Sequence, residues 1–330
     1  MQPPRDETLR TLLGDLYPND SSGDGKELSS QLLQILSQSS GDGDMAEHID
    51  PWDGGDVVLI TYADTIGEKG FPGLQALKTV VNRHLQPFAA VIHVLPFLQS
   101  TSDGGFAVAS HTPLEQRFGD WRDLADLAQG RRLMADLVLN HVSASHPWVQ
   151  QFMRDKQPGR SCVLEAAPDP CWADVVRPRS SNLFTQLRGP VGARQVWTTF
   201  GPDQVDLNWR SAEVLLGFAR LMQRMARHGV RWIRLDAVGF VWKEPHTSCI
   251  HLPQAHQLVR VLRLLLDQVG PDGVVVTETN VPEQENLSYL RSGDEAHLAY
   301  NFPLPPLLLC LLYTSPSPRD RTRSRMPSSA

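Results

Sequence analysis

From residue 57 onward the chain alternates between two hydrophobic rhythms. Nearly continuous apolar runs at 57–62, 89–97, 133–141, 230–238 and 274–278 predict strands buried on both faces. Between them, at 73–85, 121–129, 212–228 and 254–269, apolar residues recur at three- and four-residue steps and predict helices with one buried stripe. Leu74, Leu77, Val80 and Val81 form such a stripe in the first of them. Ser211 stands at the N-cap position of 212–228, and Gly229 stands where that helix should stop. A sixth strand is expected at 297–302. Strands that alternate with helices imply parallel β/α units.

Polar residues stand at or near the end of strand after strand: Asp64, His93, Asn140 with His141, Asp236 and Glu278. That distribution fits a β/α barrel, whose active site occupies the C-terminal rim of the strands. A doubly wound sheet also places ligands at strand ends, but no Gly-rich phosphate loop follows the first strand here.

The rhythm breaks in three places. Residues 1–50 are polar, with two short helical patterns at 7–16 and 27–36, and read as a helical and linker extension. Residues 51–142 then form the first part of the barrel. Residues 143–205 are Pro-rich and aperiodic; at roughly sixty residues this stretch is too long for a β/α loop and reads as an inserted subdomain. The barrel resumes over 206–310. Ser, Pro and Arg dominate 311–330, which reads as a disordered or artefactual tail. The count before that tail is six strands, whereas a closed barrel needs about eight.

Composition narrows the partners. The 330 residues are 41% hydrophobic and 21% charged, with a net charge of −6. A mildly acidic chain without a basic stripe argues against nucleic acid. The Leu-rich stretch at 304–312 is too short and too Pro-rich to span a bilayer, and the start lacks signal-peptide form, so a soluble cytoplasmic protein is expected. Four cysteines without CxxC spacing are read as free thiols, although Cys162 and Cys171 could pair in an oxidising compartment.

Three segments carry candidate chemistry. In 230–238 side chains alternate, so Arg234 and Asp236 share one face. Arginine beside aspartate should lower the carboxyl pKa and give the ionised form a nucleophile needs; a purely structural ion pair fits the spacing equally well. Glu278 closes the apolar run 274–277 and suits a general acid, or else a strand end open to water. Asp136, Asn140 and His141 close a third strand. An Asp and a His could suggest a metal, but no tight His/Glu cluster supports one.

At these residues the chain resembles the α-amylase superfamily. Residues 136–141, 229–237 and Glu278 match three of its signature regions in order. Further blocks at 59–64, 93–97, 102–106, 177–179, 196–200, 204–207 and 247–253 are similar to the sucrose phosphorylase-like subfamily. Residues 277–282 and 294–297 look more like its glucosylglycerate phosphorylases. The resemblance implies an α/β fold, a (β/α)8 TIM barrel of α-amylase type that is C-terminally truncated here, with a subdomain inserted after the third strand. It implies a retaining phosphorylase that transfers glucose from a short α-glucoside, 2-O-α-glucosylglycerate, to inorganic phosphate. Asp236 would be the nucleophile and Glu278 the acid/base. Asp103, Phe106, His141 and Arg234 would bind substrate, Arg177 or Arg179 would bind phosphate, and no metal or organic cofactor would be needed. Sucrose phosphorolysis, α-glucoside hydrolysis or transglucosylation, and an inactive fragment are the alternatives. A further Asp that the family carries on a later strand finds no match before residue 309.

Overall fold

The computed structural model describes residues 5–18, 25–37, 52–54, 56–85, 88–270 and 272–314. The expected linker, residues 39–44, and residues 315–330 of the expected tail lie outside the described residues. Ten strands are described: β1 Val58–Thr61, β2 Val91–Val94, β3 Arg132–Val138, β4 His141–Ser143, β5 Phe184–Gly189, β6 Gly192–Trp197, β7 Gln204–Asp206, β8 Val230–Asp236, β9 Val274–Thr277 and β10 Leu298–Ala299. The helices are α1 Arg5–Leu16, α2 Lys26–Ser37, α3 Gly73–Val80, α4 Trp121–Leu127, α5 Pro147–Phe152, α6 Gly159–Cys162, α7 Ala212–Arg227, α8 Pro253–Val269, α9 Glu283–Arg291 and α10 Leu304–Thr314.

One six-stranded sheet, in the order β1-β2-β3-β8-β9-β10, organises the molecule, and every neighbouring pair is parallel. Helices α3, α4, α7 and α8 connect its strands, as β/α units require. Successive side chains on a strand face opposite ways, and the two faces have different tasks. Ile92, Val94, Leu133, Ala135, Leu137, Ile233, Leu235 and Val275 enter the main core with the helices. The alternate residues Val91, Met134, Trp232, Val274 and Val276 form a second apolar cluster with Trp52, Leu298 and Tyr300. Trp52 meets Trp232 edge-on with ring centroids 6.4 Å apart. Above this apolar layer the same rows continue into His93, Asp136, Arg234 and Asp236. Layered filling by alternate residues is the interior of a β/α barrel.

Several expectations change in detail. The run 133–141 is two strands: β3 ends at Val138, and the chain turns out of the sheet to pair β4 antiparallel with β7, His141 opposite Asp206. The first strand is not buried on both faces. It pairs with β2 alone among the described residues, and Val58 and Ile60 are exposed at that edge. The sixth strand is two residues long. Helix 73–85 is α3 followed by a π-helical turn, Val81–Leu85. Ser211 is at the N-cap of α7, yet its side chain makes no capping hydrogen bond. The tail was expected to start at 311, but α10 runs to Thr314, with Leu307, Leu308, Leu311 and Leu312 exposed.

The two N-terminal helices are integral to the core. Leu9, Leu12, Leu13 and Leu16 of α1 and Leu28, Leu32 and Leu36 of α2 are buried; α1 lies on α8, and α2 bridges α7 and α8. Residues 143–205 also share the main core, through Val149, Phe152, Cys162 and Val196. A smaller cluster around Leu183, Trp197 and Cys249 lies beneath the β5–β6 hairpin. All four cysteines are free.

Gly229 shows how the sequence stops α7 and starts β8. Its φ is +87°, and a Cβ there would meet Ala128 Cβ at 2.3 Å. Both the left-handed backbone and the close approach require glycine. Gly229→Ala is expected to destabilise the fold by about 2 kcal/mol or more. Denaturant unfolding of the two chains checks this, and an unchanged midpoint would refute it.

Candidate active site

The register of the parallel ladder places Asp136 directly opposite Arg234 and Val138 opposite Asp236. Arg234 and Asp236 share the interior face by alternation, as expected, and Glu278 follows β9 on the next strand. The result is one guanidinium among three carboxylates. Arg234 Nη1 donates to Asp136 Oδ1 (2.5 Å) and to Asp236 Oδ1 (2.9 Å), and Nη2 lies 3.8 Å from Glu278 Oε1. His93 Nε2 meets the other oxygen of Asp136 at 2.9 Å, inside the barrel. Glu278 Oε2 accepts from the backbone N–H of Ala237 (3.2 Å), a residue in the left-handed conformation (φ +51°) that turns the chain directly after Asp236.

The acidity of Asp236 runs opposite to the expectation. Its pKa is pushed up from 3.8 to about 7, first by burial, then by the charges of Glu278 and Asp136. Arg234 pulls it down, but shares its charge among three acids and loses to desolvation. The spacing Arg-x-Asp shows the partner and not the burial, which is why the sign was missed.

Above this cluster opens a cleft of about 450 Å³ lined by Asp103, Phe106, His141, Arg179, Phe200, Gln204, Phe240, His251, Asp236 and Glu278, among others. It therefore brings together the predicted Asp103, Phe106, His141, Asp236 and Glu278. Arg234 lies beneath, its guanidinium carbon 5.7 Å from the Phe106 ring centre. The two arginines expected to act alike are separated: Arg179 lines this cleft, whereas Arg177 lines another, beside Trp172 and Phe184. Asp64 stays outside, paired with Arg117 at 2.8 Å.

Gln204 was not anticipated as a site residue. Its amide nitrogen donates to Asp103 Oδ2 (2.8 Å) and lies 3.0 Å from His141 Nε2. A carboxylate only accepts, so the Gln204 amide must present its NH2 group to both partners. Burial lowers the His141 pKa to about 4, leaving a neutral ring whose Nε2 accepts from Gln204. His251 likewise entered only as part of a shared block. Its Nδ1 lies 2.8 Å from Tyr289 Oη, and burial lowers its pKa to about 4. The quoted blocks 204–207 and 247–253 were the available signal for both. Among the described residues, no group of three or more His, Cys, Asp or Glu is placed to hold a metal ion.

The family profile described as alpha amylase, catalytic domain, matches residues 88–311. The chain belongs to the α-amylase family. A relative in curated collections, the glucosylglycerate phosphorylase of Allomeiothermus silvanus, is 46% identical over 259 residues, 78% of this chain and 47% of that protein. The glucosylglycerate phosphorylase of Escherichia coli is 41% identical over 261 residues, again 78% of this chain and 46% of that protein. The α-amylase family fold is also seen in the sucrose 6F-phosphate phosphorylase of Thermoanaerobacter thermosaccharolyticum. That structure superposes with a TM-score of 0.71 at 24% identity, covering 83% of this chain and 56% of that one. The chain spans about half the length of the relatives it matches.

A buried carboxyl with a raised pKa destabilises the fold when ionised. Between pH 3.8 and about 7 the folded chain keeps a proton on Asp236 that the unfolded chain releases. Stability is therefore lost as pH rises through that window, and the full penalty stands above it. Asp236→Asn is expected to stabilise the chain at pH 8, on the order of 1–3 kcal/mol, and to have little effect at pH 4. Thermal melts at both values check this; a loss of stability at pH 8 would contradict it.

Proposed function

We propose that the chain is the catalytic part of a retaining α-glucoside phosphorylase that transfers glucose from 2-O-α-glucosylglycerate to inorganic phosphate. The observation that carries the reading is the meeting of Asp236 and Glu278, from neighbouring strands, around Arg234 at the floor of one cleft. Two carboxyls at one sugar-sized site are the equipment of double displacement.

Asp236 attacks the anomeric carbon as the bond to the glycerate oxygen breaks, and Glu278 gives that oxygen its proton. The product is a β-glucosyl ester on Asp236. Phosphate then attacks the same carbon from the face glycerate left, its proton passes to Glu278, and Asp236 departs. Glucose 1-phosphate is released with the α configuration retained. Arg234 orients Asp236 and spreads its charge. Asp103, His141 and Phe106 hold the glucosyl unit. Arg179 is the phosphate ligand, since a guanidinium fork matches phosphate oxygens and it is the arginine that borders the cleft. No cofactor enters these steps. The free cysteines support a reducing, cytoplasmic setting.

A full-length version incubated with glucosylglycerate and phosphate is expected to yield α-glucose 1-phosphate. Free glucose formed regardless of phosphate would assign hydrolysis instead, and binding without any product would leave a sugar-binding unit. Asp236→Asn should lower turnover by roughly three orders of magnitude or more. Because Asp236 must be ionised, kcat/KM should fall as pH drops below about 7. Arg179→Ala should raise the KM for phosphate roughly tenfold; an unchanged value would remove it from that role.

A further inference from the structure

Behind the cleft wall lies a second charged cluster that the chemistry above does not use. Lys243, with a side chain 4% exposed, donates to Asp206 Oδ2 (2.6 Å), Asn140 Oδ1 (2.6 Å) and the carbonyl of Phe240. All three ammonium donors are thereby used. Asp206, fully buried, also accepts from Thr199 N (2.9 Å), Thr199 Oγ1 (2.5 Å) and Asn140 Nδ2 (3.0 Å). Trp197 Nε1 in turn donates to Thr199 Oγ1 at 3.0 Å.

The anchors have a consistent relation to the cleft. Asn140 precedes His141, Thr199 precedes Phe200, and Phe240 offers its own carbonyl. The three cleft-lining rings pack in a row, His141 on Phe200 (centroids 5.2 Å) and Phe200 on Phe240 (5.5 Å). Lys243 itself does not reach the cleft. Directly or through Asp206 it therefore gathers the stretch after β3, the return from the insertion, β7 and the turn after β8, and each of the three wall rings follows, or belongs to, a residue held by Lys243 or by Asp206. A buried ion pair is a poor source of stability, because apolar residues of similar volume often do as well. What such a pair supplies better is fixed orientation. With Lys243 on Oδ1, the Asn140 amide can present only its NH2 to Asp206.

We propose that Lys243 is a positioning residue: through Asp206 and Asn140 it sets the His141–Phe200–Phe240 wall against which the glucosyl unit is bound. The proposal rests on the reading of the cleft as a sugar site. It also makes a ligand-free claim, that the network sets the surroundings of the His141 ring, whose Nδ1 lies 3.4 Å from the Asn140 amide it fixes.

The test is the double variant Lys243→Met/Asp206→Asn, which removes both charges and leaves neither unpaired. The expected result is a melting temperature close to the parent, a KM for glucosylglycerate raised roughly tenfold with a smaller change in kcat, and imidazole nitrogen signals of His141 displaced from those of the parent. Parent KM together with a parent His141 spectrum would overturn the proposal. If the double variant fails to fold, Lys243→Arg, which keeps the charge but moves the donors, takes its place; a stable Lys243→Arg chain with parent KM and spectrum would overturn it equally. A parent chain that binds no glucoside would sink the sugar-site reading, and the ligand-free His141 spectra would then decide the positioning claim alone.

Discussion

The guanidinium of Arg234 has to serve Asp136, Asp236 and Glu278 at once, and the layout of the barrel interior follows from that demand. Three acids around one permanent cation cannot all be charged cheaply in a site shielded from water. The structure answers in two ways. Asp136 is given a second partner, His93, so that both its oxygens are occupied. Asp236 is left with one strong contact and a raised pKa. The apolar layer of Val91, Met134, Trp232 and Val274 directly below keeps the local dielectric low, which strengthens every one of these contacts. The same burial that makes Asp236 uncomfortable as a free carboxylate leaves it unshielded by water once ionised, which suits the nucleophile role proposed for it.

Much of this was legible in the sequence because it depends on short-range periodicity. Alternation alone places Arg234 and Asp236 on one face, and the apolar run before Glu278 places that carboxyl at a strand end. The helices with clear stripes, α7 and α8, fall within a residue or so of their expected bounds. What was not legible depends on the rest of the molecule. The break of β3 after Val138 is decided by pairing with Gln204–Asp206, more than sixty residues downstream. The exposure of β1 is decided by its edge position. Helix α9 buries little besides Asn286 and Tyr289, so its amphipathic signal is too thin to read. The sign of the Asp236 shift needed the balance of desolvation against charge, and residue types at fixed spacing do not supply burial.

The cleft divides its labour between elements of different origin. Asp236 and Glu278 stand on or immediately after strands of the parallel sheet, where ladder hydrogen bonds fix their separation. Asp103 sits on a tight turn after β2, with φ +53°, and its side chain is held by Gln204 from the far end of the insertion. The two carboxyls proposed to react are thus tied to the most rigid part of the fold. The groups proposed to hold the sugar are tied to loops, which are coupled to one another by side chains instead of by backbone ladders.

The antiparallel pair β4–β7 has a consequence of its own. His141 lies opposite Asp206, Val142 opposite Val205 and Ser143 opposite Gln204, so the chain leaves the barrel and returns to it through a single clasped neck. Everything between, from residue 144 to 203, begins and ends at fixed points. Such a neck works as a graft site. Segments of different length and shape could be exchanged above it over evolutionary time, altering what the cleft admits, while His141 and Gln204 at the clasp keep their distance from the strands that bear the carboxyls.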